Sequence, residues 1–167
     1  MLAQMRLTWW RETLEKPGAD WPAGELLLAG LRDWSDEARV LGALASGWEA
    51  MLAEPPIGAA DLAALAGARA DAVAAIARLG GLPGDASEGQ ERGYAWALAD
   101  IALHLSDEKE RANALALMRA AEKPLGKAPR ILRPVAVLDA LAHQAIGRKG
   151  GGASSFFTAL RVGLFGR

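Results

Sequence analysis

A chain of 167 residues suits one domain able to bury a real core, and its cysteine count of zero excludes disulfides, thiol catalysis and cysteine metal sites. Alanine and leucine dominate while β-branched residues are scarce, which favours helix over sheet. A net charge of −1 removes any whole-chain electrostatic reason to bind nucleic acid, and no apolar run reaches the roughly eighteen residues of a membrane span.

The first predicted helix runs from Leu2 to Glu15 and takes in most of "MRLTWWRETLEKP", which spans Met5 to Pro17. Leu7, Trp10 and Leu14 fall at helical spacing, with Arg6, Arg11, Glu12 and Glu15 on the wetter side. The adjacent Trp9 and Trp10 pose a choice between stacking on a ligand, resting at a membrane and forming a core edge. "KPGADWPAG" then breaks the helix with two prolines and two glycines. A second helix is expected through "ELLLAGLRDW", and Ser35 or Asp36 is expected to cap a third that continues to about Ala53. "EPPIG" ends it. The fourth, "AADLAALAGARADAVAAIARLGG", carries Leu62, Leu65, Val73, Ile76 and Leu79 on its apolar side. "LPGDASEG" reads as a loop, followed by a fifth helix from Glu91 to Leu105. Ser106 is expected to cap a sixth, "DEKERANALALMRAAE", and a seventh spans Pro134 to Ile146. "GRKGGGASS" reads as a flexible break before "FFTALRVGLFGR".

The expectation is an all-α bundle of about seven to eight helices, with the alanines allowing close helix approach. Its divisions are a helical domain over 1–147, a glycine-rich hinge over 148–155 and a short amphipathic segment over 156–167. No cleavable signal precedes the first helix, so the expected location is cytoplasmic, with peripheral contact at the inner membrane face as an option.

Chemistry is sparse. A magnesium-diphosphate enzyme needs carboxylates at i and i+4 on one helix face, so that both reach the same ions. The nearest matches are Asp100 with His104 and His104 with Glu108, neither of them a carboxylate pair. Asp33, Asp36 and Glu37 cluster at a helix junction, where acids favour the N-terminal dipole, and Asp107, Glu108 and Glu110 after Ser106 have the same explanation. His104, between Leu103 and Leu105, reads as a partly buried structural histidine. "GRKGGGASS" lacks the spacing of a phosphate-binding loop and follows no strand.

Taken in order, several segments resemble the squalene/phytoene synthase family. "RLTWWRETLE" is similar to the segment after that family's first aspartate-rich helix, and "LGALASGWEAMLAEPPIGAADLAALAGARADAVAAIARLGG" resembles its helix–loop–helix stretch. "GYAWALADIALHLSD" resembles the second motif, G-x-A-x-Q-L-x-N-I-x-R-D, and "APRILRPVAVLDALAHQ" the last core helix. The resemblance implies a partial bundle of the isoprenoid-synthase type. It also implies that the tryptophan-bearing helix packs inside, with one ring in the core and the other toward a groove or partner.

The departures bear on function. The family's first aspartate-rich motif has no counterpart, and the expectation places it upstream of Met1. In the second motif Ala97 stands at the glutamine position, Asp100 at the asparagine, Leu103 at the arginine and His104 at the aspartate. The downstream glycine-arginine-tyrosine-leucine-proline stretch is missing as well. The reading is therefore a degenerate, non-catalytic scaffold or binding module with no cofactor. The alternative is a prenyltransferase condensing isoprenoid diphosphates at a reduced magnesium site of Asp100, His104 and Glu108. Without the closing helices, Leu7, Trp9, Trp10 and Leu14 are expected at an exposed groove that meets a second copy, a protein partner, or an isoprenoid or lipid ligand. Phe156, Phe157, Leu160, Leu164 and Phe165, with Arg161, are expected either on a membrane or partner, or folded back over that groove.

Overall fold

The computed structural model describes residues 1–81, 83–147 and 153–166, and among them the chain is all-α. The helices are α1 (Leu2–Leu14), α2 (Leu26–Leu31), α3 (Val40–Ala50), α4 (Ala59–Leu79), α5 (Ala86–His104), α6 (Glu108–Ala121), α7 (Arg133–Gly147) and α8 (Ala153–Phe165). A tighter 3₁₀ stretch over Arg32–Arg39 runs directly into α3. Residues 148–152 of the expected hinge lie outside the described residues, and its remaining residues, 153–155, belong to the first turn of α8.

α4 and α5 form the centre. α3 packs on α4, α1 on α3, α6 and α7 on α5, and α8 on α7. The main core joins Leu62, Leu65 and Ala66 of α4 to Ala97, Leu98, Ile101 and Ala102 of α5 and Ala114 of α6. Each buried leucine there is worth roughly 1.5–3 kcal/mol of transfer free energy. A second cluster of Leu14, Trp21, Leu28 and Ala38, backed by Trp10 and Trp34, fastens the N-terminal helices. The small residues do what their number suggested: Gly89 and Gly93 of α5 lie against Ala70, Val73 and Ala74 of α4, where a Cβ on Gly93 would fall 2.9 Å from the Ala70 Cα.

Several boundaries differ from expectation. α5 begins at Ala86, five residues before Glu91, because Glu88 bonds Arg92 one turn on at 2.6 and 2.8 Å and Gly89 rests on the α4 backbone. Tertiary contact overrides the weak local propensity of "ASEG" there. α6 is capped by Asp107, not Ser106, its carboxylate accepting from the amides of Lys109 and Glu110 at 2.9 and 3.0 Å. α3 has no side-chain cap, since it continues out of the 3₁₀ stretch instead of starting at Ser35 or Asp36. Glu37, expected among the dipole-favouring acids, grips Arg78 of α4 through both carboxylate oxygens at 2.6 and 2.7 Å. That bond holds the Glu37 carboxyl below its usual range. Leu79, expected on the apolar side of α4, is 41% exposed because it is the last residue of the helix, with Gly80 as its C-cap.

One ion pair gives the fold a pH dependence. On α7 the Asp139 carboxylate faces His143 Nδ1 at 3.0 Å and raises the histidine pKa from 6.5 to about 9, against an opposing effect of burial. A raised histidine pKa stabilises fully below pH 6.5, and that stabilisation is lost as pH rises through about 9. His143 is 40% exposed, so solvent screening limits the effect to about 1 kcal/mol or less. The urea midpoint should therefore fall slightly between those two pH values, and Asp139→Asn should flatten the fall.

Candidate functional site

The C-terminal end of α5 lines a groove of about 380 Å³ between α3, α4 and α5. Its apolar lining is Met51 after α3, Leu65 of α4, and Ile101 and Leu105 at the end of α5. Trp48, 46% exposed, forms one rim and His104 the other.

At its polar edge sits Arg69. It falls on the apolar stripe of α4, a position set by Leu62, Leu65 and Val73 at helical spacing. Its Nη1 donates to the Asp100 carboxylate at 2.6 Å. The guanidinium carbon lies over two indoles, 5.5 Å from the Trp48 ring centre and 5.6 Å from that of Trp96. Both distances are within cation–π range. Three helices thus converge on one half-buried cation. The arrangement suits a molecule with an apolar body and a polar or anionic end; it offers no activated nucleophile.

Of the three candidate metal ligands, Asp100 and His104 both line the groove, with His104 Nδ1 3.5 Å from the Asp100 carboxylate, while Glu108 does not join them. Asp100 is engaged by Arg69. His104 is 76% exposed, contrary to the expected partial burial, and its Nδ1 lies 2.8 Å from the Asp100 backbone carbonyl one turn back. It is the last residue of α5, where the chain turns away and leaves the ring in solvent. Glu108 is exposed on the first turn of α6 and does not line the groove. Among the described residues no three acidic or histidine side chains are grouped to hold a metal ion.

The tryptophan pair divides as the helix geometry requires. Trp9 and Trp10 meet edge to face at 5.0 Å; Trp10 packs into the second cluster and Trp9 is 39% exposed. Leu14, expected at an exposed edge, is buried at 4%, and Leu7 is half-buried. The exposed edge of α1 is instead Leu2, Met5 and Trp9. The cause is the docking of α1 on α3, where Arg11 pairs with Glu49 at 2.6 Å and Leu14 and the Arg11 carbonyl lie against Gly42. In α8, Phe156, Phe157, Leu160, Leu164 and Phe165 are all exposed, although the helix does fold back on α7 through Val162. It covers α7, not the α1 edge.

The sequence reading missed Trp48, Arg69 and Trp96. The usable signal was an arginine on an otherwise apolar helix stripe, a position normally left to leucine or alanine. Comparison with protein-family models, with curated proteins and with solved structures gives no match for this chain.

Proposed function

We propose that this chain is a binding module that takes a single-chain amphiphile, of acyl or isoprenoid type, in the groove between α3, α4 and α5, and that it is not a prenyltransferase. The observation that carries this reading is Arg69. Its pairing with Asp100 commits the best-placed carboxylate to a cation, so a magnesium ion would have to displace a 2.6 Å ion pair packed on two indoles. What remains open beside it is apolar surface. A guanidinium carries five donors, more than one carboxylate oxygen uses, which suits a carboxylate or phosphate end group. The likeness to squalene/phytoene synthases rests on the ordered sequence segments, and it makes an isoprenoid chain the natural first ligand to try.

The test has two arms. Incubation with farnesyl or geranylgeranyl diphosphate and magnesium should release no pyrophosphate; release that disappears in Asp100→Ala overturns the proposal in favour of the enzyme. Titration with farnesyl phosphate or oleate, without magnesium, should shift tryptophan emission in the native chain and much less in Trp48→Phe, where only Trp96 remains beside Arg69. A native chain with no shift, or a shift undiminished in Trp48→Phe, removes the groove as the binding site.

A further inference from the structure

We infer that α8 is a docking face for an anionic lipid bilayer. The helix is apolar on two sides. Val162 is buried against Ala128 and Ala136 and fastens α8 to α7. On the opposite side Phe156, Phe157, Leu160 and Leu164 are 65%, 68%, 47% and 57% exposed. At about 100° per residue these four lie within one third of the helix circumference, so they form a single strip. A surface helix of a globular domain normally turns charge, not phenylalanine, to that side.

The strip is bracketed by cations. Arg161 is exposed on one flank. On the other, Gly163 adjoins a shallow hollow lined by Arg130, Arg133, Pro134 and Val137. Arg133 also donates to the Leu164 carbonyl at 2.9 Å, and the Ala128 amide to the Gly166 carbonyl at 2.8 Å, which holds this end of α8 against the basic segment.

Charge separation along the chain reinforces the local pattern. Residues 123–167 hold eight lysines and arginines against one acid, Asp139, so that stretch carries +7 and residues 1–122 carry −8 within a total of −1. Arg148, Lys149 and Arg167 contribute to this count from outside the described residues, through the sequence alone. Exposed phenylalanines flanked by arginines are complementary to a bilayer with negative headgroups: the rings enter the acyl boundary and the cations meet phosphate and carboxylate. A helical protein partner for the same strip would need an apolar face, but nothing in it would use the excess positive charge. No helix among the described residues is long and apolar enough to cross a membrane, so the contact is one that lies on the surface.

Vesicle flotation of the full chain tests this without reference to the α3–α4–α5 groove. The protein should float with vesicles of phosphatidylcholine and phosphatidylserine and remain behind with phosphatidylcholine alone. The triple substitution Phe156→Gln, Phe157→Gln and Leu160→Gln touches only outward side chains and keeps good helix formers, so circular dichroism should be unchanged. Its partition onto anionic vesicles should fall by about a hundredfold. Arg130→Gln with Arg161→Gln should weaken flotation as well, whereas Leu26→Gln on α2, at an 86% exposed site, should not. The inference is overturned if the native chain ignores anionic vesicles or if the triple variant floats as well as the native chain. It is equally overturned if light scattering shows a dimer that the triple substitution splits while no vesicle binding occurs.

Discussion

Gly93→Ala should destabilise the protein by about 2–3 kcal/mol, while the same change at Gly67 should stabilise it by about 0.5–1 kcal/mol. Both glycines lie in helix interiors, where alanine is locally the better helix former. They differ in what surrounds them. A Cβ on Gly93 would lie 2.9 Å from both the Ala70 Cα and the Val73 Cβ, and 3.0 Å from Val73 Cγ2. One of those neighbours is backbone, so relief requires α4 and α5 to separate along the most extensive helix contact in the molecule. A Cβ on Gly67 would meet nothing within 4 Å. Urea denaturation of the two variants measures the contrast, and equal shifts of the same sign would show that α4 and α5 do not pack at this distance. Gly47 should behave like Gly93, since its Cβ would come 2.9 Å from the Leu65 Cα.

Leu98→Ala is expected to cost about 3 kcal/mol. Leu98 is fully buried in the main core beside Leu62, Leu65 and Ile101, and the truncation leaves a cavity between two helices that are held apart by neighbouring contacts. The many alanines of this core worsen the loss, because short side chains have little reach with which to refill the space. Leu138→Ala, on α7 at a 45% exposed site, removes the same atoms and should cost about 0.5 kcal/mol or less. A comparable loss at both sites would mean that Leu98 is not where the helices are pinned.

Much of the fold is legible in local signals. Proline and glycine after Lys16 and the glycines after Leu79 end two helices close to where the chain chemistry demands, while α3 stops at Ala50, short of the expected Ala53 and of the paired prolines after Glu54. Periodic Leu62, Leu65 and Val73 fix the buried side of α4. The groove was only half legible. Asp100 and His104 stood out by type, but the residue that decides what Asp100 can do is Arg69, 31 positions away.

What the sequence by itself determined is the helical class, most of the breaks between helices and the concentration of positive charge in the last third of the chain. These follow from backbone propensity, turn chemistry and composition, which act within a few residues or need no geometry at all. The tertiary structure alone decided that α1 buries Leu14 and Trp10 and exposes Leu2, Met5 and Trp9, because Gly42 and Glu49 of α3 set its rotation. It decided that Asp100 answers an arginine held between two indoles and that Glu37 holds Arg78, 41 residues away, instead of capping a helix. It also chose between the two apolar sides of α8, sending Val162 inward and the phenylalanines out. The reason is common to all three: a helix sequence can offer more than one face, and only the neighbour it packs against selects which is buried.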